Sequence, residues 1–368
     1  MIILLWMLSV VVAFVVVVWL FMQQTQFGKI AKGTSRDRLV QSPHFKEGKF
    51  ANLNHTPDFS EGVTITTVMK DYLFKKTVRN RPSQKLPSVK VDLKNIPLST
   101  DAMVWFGHSS YYMQIDGKRF LVDPIFSGAA SPVNFTTRSF DGSDVYSVDD
   151  IPNIDFLLIT HDHWDHLDHK TVMGLKSKVH RIITGLGVGE HLRYWGFSAE
   201  IITELDWHQH TQLAEGFELH STPARHFSGR GFKRAQSIWS SFVLKTPTMK
   251  VFVGGDSGHD THFEMIGEKH GPFDLAILEC GQYNVYWKYI HMMPEQTVLA
   301  AHQLKSTRLF PMHWAKFALS MHAWDEPIER ATAEAEKTQM LLLTPLIGQL
   351  IPLKEEVKFE KWWRGVDR

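Results

Sequence analysis

The segment His161-Asp162-His163-Trp164-Asp165-His166 follows directly on the apolar run DFLLIT, Asp155–Thr160. A short continuous apolar run reads as a strand buried on both faces. Four ligand-type side chains, His161, His163, Asp165 and His166, then lie within six residues on the loop that leaves it. His161 and His163, as alternate residues, can point the same way and grip one ion, while Asp165 and His166 face a second. Imidazole and carboxylate without thiolate is the donor set of a hydrolytic, zinc-type centre that keeps coordination positions open. Such a loop needs partners from elsewhere. His226 in STPARHF, Asp256 in VFVGGDSGH and His313 in LFPMHW each stand at or just after the end of a strand-like segment. A strand end is rigid and presents its last side chains to one rim of a sheet, so ligands distant in sequence meet there.

The rest of the chain supplies such a sheet. AMVWFGH, SYYMQID and KRFLVDP read as short strands with turns between them, and RIITG, FELHSTPA, SIWSSFVLKT, MKVFVGGD, FDLAILEC and STRLFPMH as further strands. KTVMGLKS, THFEMIGEKHG, PEQTVLAAHQLK and DEPIERATAEAEKTQ read as helices. Strands first and helices alternating later predict an α/β (α+β) architecture of two packed sheets flanked by helices. Net charge is +1, from 40 Lys+Arg against 39 Asp+Glu, which argues against a dedicated nucleic-acid binder. The single Cys excludes an intramolecular disulfide framework and a Cys-based zinc finger; Cys280 reads as a small buried hydrophobe.

Met1–Met22 is apolar apart from Ser9 and carries no charged side chain. At ~1.5 Å per residue it reaches roughly 33 Å, enough to cross a bilayer core. No basic residue precedes it and no small-residue cleavage pattern follows, so an uncleaved single-pass transmembrane anchor is expected rather than a signal peptide. Lys29, Lys32, Arg36 and Arg38 follow the span and place the catalytic domain on the cytoplasmic side. Residues 23–100 are polar and punctuated by Pro57, Pro82, Pro87 and Pro97. They are expected to form a juxtamembrane arm with one short helix around Thr67–Phe74, packing on the domain or on a partner chain. The cluster FKKTVRNRPSQK is placed to meet anionic headgroups or simply to be solvated. Residues 101–353 would form the catalytic domain and 354–368 a C-terminal tail. A cut after Phe27 is expected to remove the anchor and leave the catalytic domain whole.

The order H-x-H-x-D-H, then His226, Asp256 and His313, resembles the metallo-β-lactamase superfamily over about Asp101–Leu353. The resemblance implies a four-layer αββα sandwich with the metals at one rim. The segments WFGHSSYYMQIDGKRFLVDPIFS, THDHWDHLD, TPARHF, GGDSGH, GEKHGPFDLAI, WKYIHMMPEQTV and PMHWAKFAL further resemble the N-acylphosphatidylethanolamine-hydrolysing phospholipase D group and its bacterial relatives. The chain departs from that group in carrying Ile290 before His291.

Carried over by position, His161, His163 and His226 would bind one zinc ion, Asp165, His166 and His313 a second, and Asp256 would bridge them. Iron or manganese also suits this donor set. Two ions about 3.5–4 Å apart hold and acidify a hydroxide that attacks phosphorus in line with the leaving alkoxide. Asp256 would orient that hydroxide or take its proton, and His291 would polarise the phosphate or protonate the leaving oxygen. His108 and Asp123 would orient ligands by hydrogen bonding. His259 would line the pocket mouth, with solvated surface as its plain alternative, and Tyr283, Trp287 and Tyr289 would contact acyl chains, with a core role as theirs.

The function implied is a membrane-anchored dizinc phosphodiesterase of phospholipase D type, with a membrane lipid as substrate, no nucleic-acid partner, and a homodimer in keeping with the family. The alternatives are a lactonase or ester hydrolase related to ascorbate-phosphate lactonases, and a membrane adaptor that has lost its chemistry. A β-lactamase fits less well, because many enzymes with that activity carry Cys where this chain has Asp256.

Overall fold

The computed structural model describes residues 2–75 and 77–366. Met1 of the expected anchor, Lys76 of the basic cluster and 367–368 of the tail lie outside the described residues. Helix α1 (Ile2–Met22) has no buried residue, and among the described residues it alone is long and apolar enough to cross a membrane. Then come α2 (Thr34–Val40), the hairpin β1 (Phe45–Lys46) and β2 (Lys49–Phe50), and α3 (Ile65–Phe74), which begins two residues before the helix expected from sequence.

The first half of the main body holds β3 (Ala102–Trp105), β4 (Tyr111–Ile115), β5 (Lys118–Val122), β6 (Ile154–Ile159), α4 (His169–Leu175), β7 (Val179–Gly185), α5 (Gly189–Tyr194) and β8 (Ile202–Leu205). The second half holds β9 (His210–Ala214), β10 (Phe217–Pro223), β11 (Ser240–Lys245), β12 (Lys250–Val253), α6 (His262–His270), β13 (Leu275–Glu279), α7 (Pro294–Gln303), β14 (Arg308–Met312), α8 (Glu326–Thr338) and β15 (Leu341–Leu342). A last strand, β16 (Leu350–Pro352), returns to the first half.

Two seven-stranded sheets result, ordered β16-β3-β4-β5-β6-β7-β8 and β15-β14-β13-β12-β11-β10-β9. In each, one end is antiparallel and the other parallel: β5 to β8 run parallel in the first, β12 to β15 in the second. The sheets pack face to face. Met103, Phe120, Phe156 and Ile183 of the first meet Phe217, Phe242, Val253 and Ile277 of the second. On the outer face of the first sheet Leu157 and Ile159 lie under Val172 and Leu175 of α4 and Leu192 of α5. On the outer face of the second, Phe252 and Leu309 lie under α6, α7 and α8. The architecture is therefore a four-layer αββα sandwich.

β6 shows why the sequence gives this. Phe156 and Leu158 face the inter-sheet core, whereas Leu157 and Ile159 face the helices. Period-two alternation with both faces apolar is what makes the run continuous in sequence. Burying each such side chain contributes about 1.5–3 kcal/mol, so a charge at Leu157 or Leu158 would break the layer that holds the loop beyond it.

Much of the expected juxtamembrane arm lies against the body. Ala31, Leu39 and Phe50 are buried with Leu186, Trp207, Ile238 and Trp239. The chain leaving α1 is also part of the body: Phe27 packs edge-on against Trp164 at 5.0 Å, and the Thr25 carbonyl accepts from the Trp195 indole at 2.8 Å. A cut after Phe27 would therefore remove these contacts together with the anchor.

Candidate metal centre

The expected ligands stand at the carboxyl ends of strands on one rim of the sandwich. The loop 161–166 follows β6, His226 follows β10, Asp256 follows β12 and His313 follows β14. β6 and β14 are flanked by parallel neighbours, which leaves their carboxyl ends free of hairpins and open to collect side chains. His108, Asp123 and His313 hold left-handed φ angles of 52°, 41° and 72°. For residues with a Cβ each such conformation costs about 1–3 kcal/mol and marks a site over-determined by its surroundings. Gly258 has no room for a side chain: a Cβ there would overlap the Tyr289 carbonyl. That close approach brings the segment carrying His291 against the loop carrying Asp256.

Two groups of donors form, and Asp256 belongs to both. His161 Nε2 and His163 Nδ1 are 2.9 Å apart, and His226 Nε2 lies 3.2 Å from His163 Nδ1. The Asp256 Oδ2 atom stands 3.9 Å from His161 Nε2 and 3.6 Å from His226 Nε2. Its other oxygen, Oδ1, lies 3.2 Å from His166 Nε2 and 3.1 Å from His313 Nε2. Asp165 Oδ2 completes that second group, 3.8 Å from His166 Nε2 and 3.4 Å from His313 Nε2.

The ring tautomers agree with ligation. His226 Nδ1 donates to the Ile290 carbonyl at 2.9 Å and His313 Nδ1 to the Gly281 carbonyl at 3.3 Å. Asp123 accepts from the Thr160 amide at 2.9 Å, from its hydroxyl at 2.6 Å and from His166 Nδ1 at 2.8 Å. With Nδ1 committed in His166, His226 and His313, Nε2 is the atom each of these rings turns inward to ligate an ion. Yet His166 Nε2, His313 Nε2 and Asp256 Oδ1 are buried without a hydrogen bond. Buried polar atoms are normally satisfied. Three orphans converging on one point, next to two carboxylates, fit a cation.

Electrostatics point the same way. Burial drives His161 and His226 well below the usual histidine range and His163 to about 4. Burial also opposes a charged His313, but Asp256 and Asp165 outweigh it and raise His313 to about 10. His166 is raised well above the usual range in the same way, against burial, by Asp256, Asp165 and Asp123. Asp256, despite burial, is held well below the carboxylate range by His166 and His313.

His108 and Asp123 sit where hydrogen bonding orients ligands: His108 Nε2 is 3.0 Å from Asp165 Oδ2, and its ring lies 4.0 Å from that of His313. His291 lines the cleft over the site, and its Nδ1 pairs with Glu279 Oε2 at 2.6 Å. The four residues expected at the substrate divide. Trp287 lines the cleft, but Tyr283 is buried against Glu326 and Arg330, Tyr289 pairs with Glu61 and lies under Arg225, and His259 pairs with Gln303. None of these three lines the cleft; for Tyr283 and Tyr289, closeness to His291 in sequence does not fix side-chain direction.

Several residues at the site escaped sequence reasoning. Glu279 ends β13 and also accepts from the amides of Ser257 at 3.2 Å and Met292 at 2.9 Å. A lone carboxylate closing an otherwise apolar strand was the available signal. Asp162 accepts from His191 Nε2 at 3.1 Å, the Ser237 hydroxyl at 2.8 Å and the Gly229 amide at 2.6 Å, and so braces the ligand loop. Asn52 exchanges hydrogen bonds with the His226 backbone at 3.1 and 2.9 Å; nothing local in the sequence signals it. The cleft, about 460 Å³, has apolar walls from Phe59, Phe227, Trp287, Ile290 and Leu319, with Arg234 among them.

Two donor groups sharing one carboxylate, at the open rim of an αββα sandwich, define a metal-dependent hydrolase. Comparison places it further: a β-lactamase superfamily domain model matches residues 118–314, and the chain belongs to the metallo-β-lactamase superfamily. The uncharacterized protein Rv0906 of Mycobacterium tuberculosis is 36% identical over 328 residues, 88% of each chain. The N-acyl-phosphatidylethanolamine-hydrolyzing phospholipase D 1 of Caenorhabditis elegans is 26% identical over 311 residues, covering 79% of this chain and 84% of that one. The solved structure of Igni18, a metallo hydrolase from Ignicoccus hospitalis, superposes with a TM-score of 0.53 at 19% identity, covering 69% of this chain and 98% of the other.

Proposed function

We propose that the chain is a membrane-anchored, dizinc phosphodiesterase of phospholipase D type, acting on N-acylphosphatidylethanolamine-like lipids. The observation that carries the proposal is the division of Asp256, with Oδ2 facing His161 and His226 and Oδ1 facing His166 and His313. His161, His163 and His226 would hold one ion, Asp165, His166 and His313 the other, and Asp256 both. A bound pair of divalent ions supplies Lewis acidity and lowers the proton affinity of water.

The chain's own residues do the rest. The apolar walls take acyl chains out of water, and Arg234 offers its charge to the phosphate. In the reaction a water oxygen joins phosphorus and the bond from phosphorus to the ethanolamine oxygen breaks. Asp256, in its ionised form, can accept the water proton. A carboxylate at Glu279 requires His291 Nδ1 to carry a proton, which leaves Nε2 to deliver one to the departing alkoxide. The similarity to the worm phospholipase supports this substrate class. For the anchor, α1 spans 21 residues at about 1.5 Å rise each, a bilayer's thickness, and has no buried residue. The Lys and Arg residues after it favour a cytoplasmic catalytic domain.

The test is a lipid-class screen with the zinc-loaded full chain in vesicles. Phosphatidic acid and an N-acylethanolamine released in equal amounts are expected. Lactone opening with no lipid turnover would instead establish the ester-hydrolase alternative. Two zinc ions bound without hydrolysis of lipid, lactone or bis(p-nitrophenyl) phosphate would establish an adaptor.

A further inference from the structure

Helix α3 is out of place on a water-soluble surface. None of its ten residues is buried. Ile65, Met69, Tyr72, Leu73 and Phe74 are 56%, 55%, 67%, 68% and 80% exposed. Ile65, Met69 and Leu73 recur at four-residue spacing with Tyr72 beside them, forming one apolar stripe. Lys70 and Lys75 flank it. Burying side chains of this kind contributes about 1.5–3 kcal/mol each, yet the fold leaves them all outside. The helix is nonetheless tethered, because the Tyr286 hydroxyl donates to Asp71 at 2.5 Å, and it is capped at its start by the Thr64 hydroxyl, which accepts from the Thr67 amide at 3.2 Å.

Its position is at the cleft. Tyr286 belongs to the turn Val285–Trp287, in which Trp287 lines the cleft and Val285 is 64% exposed. Just before α3, the Ser60 amide donates to the Tyr286 carbonyl at 2.8 Å, and Glu61 pairs with Lys288 at 3.0 Å. Asp58, on the same stretch, pairs with Arg234 at 3.2 Å, and both line the cleft. The loop carrying Arg234 also carries Phe232, 83% exposed, and Lys233. Its Gly231 lies against the end of α1, where a Cβ would sit 2.9 Å from Met22 Cε. A continuous path therefore runs along the cleft rim, from the last turn of α1 through Phe232 and the Asp58–Arg234 pair to α3.

We propose that α3 and the Phe232 loop form a docking face around the mouth of the cleft, and that its occupant is the phospholipid bilayer that α1 enters. The proposal rests on reading α1 as an anchor. The end of α1 sets the height of the membrane surface, and the Phe232 loop lies at that height. Apolar side chains bordered by lysine and arginine are the pattern of a segment lying in the interface, apolar face among acyl chains and cations among headgroups. Contiguity with α1 selects lipid over a second protein copy. Docked so, the cleft opens onto the bilayer and a lipid reaches the metal ligands without crossing water.

The test uses the full chain in vesicles of phosphatidylcholine and phosphatidylglycerol carrying acyl-chain spin labels. An environment-sensitive fluorophore is attached in turn to Phe74→Cys, Val12→Cys and Glu200→Cys; the native Cys280 is buried and inert to labelling. The Phe74 and Val12 probes are expected to lose most of their emission, and the Glu200 probe, on the exposed body, to keep it. An unquenched Phe74 probe beside a quenched Val12 probe overturns the docking face and leaves the anchor. Both unquenched overturns both. Quenching at Phe74 without quenching at Val12 overturns the anchor and, with it, docking on the bilayer that α1 enters. A Phe74 probe untouched by lipid label but shielded with rising protein concentration in detergent makes the face a protein–protein interface and overturns the proposal.

Discussion

The guanidinium of Arg230 lies 3.9 Å from the centre of the Trp164 ring, inside the ligand loop itself. The same side chain donates to the Gln26 carbonyl at 2.9 Å, to Asp162 at 2.9 Å and to Leu167 at 2.6 Å. The exit of α1 and the metal loop are thus clamped by one buried cation.

Arg230→Met keeps bulk but leaves three carbonyls short of a donor, at about 1–3 kcal/mol for each orphaned group. Reduced stability and weakened metal retention are expected, read by denaturant unfolding and by zinc content after dialysis. Truncations separate anchor from clamp. Removing residues 1–22 should preserve turnover of bis(p-nitrophenyl) phosphate, whereas removing 1–28 should lower it sharply. Equal activity in both truncations would show that Gln26 and Phe27 have no part in the loop.

Glu279→Gln replaces the carboxylate that pairs with His291 by a neutral amide of the same shape. Loss of general acid catalysis is worth about 10²–10⁴-fold, so kcat is expected to fall within or just below that range. Zinc content and the KM for lipid should change little. A raised KM with kcat intact would assign Glu279 to substrate binding.

Metal uptake should be coupled to protons. His313, raised to about 10, and His166, raised well above its usual range, hold protons at neutral pH that a metal ion must displace. Binding is therefore expected to release protons and to weaken progressively as pH falls below about 10. Calorimetry of zinc binding in two buffers of different ionisation enthalpy measures the release. Affinity independent of pH and buffer would mean that these rings are already neutral.

What was legible in the sequence followed from local pattern. DFLLIT announces a strand buried on both faces, and the ligands crowded after it announce a loop at a strand end. His226, Asp256 and His313 were readable because each closes a strand-like run. Contacts made only in three dimensions were not. Leu39 and Phe50 lie in short, polar surroundings and bury only because Trp207 and Trp239 present an apolar face from far along the chain. β8 and β9 carry too few apolar residues to stand out. Tyr283 and Tyr289 sit within eight residues of His291 in sequence, yet the turn between them sends both side chains to other partners and Trp287 into the cleft.

The most direct measurement is metal content and phosphodiester turnover in the wild-type chain and in Asp256→Asn. An asparagine keeps one oxygen but replaces the other with an amide nitrogen that donates rather than ligates. Two zinc ions per wild-type chain are expected, with both groups depleted in the variant. Hydrolysis should fall further than the ~10–100-fold that follows loss of an outer hydrogen-bond partner. A variant that retains two ions and full turnover would contradict a centre bridged by Asp256.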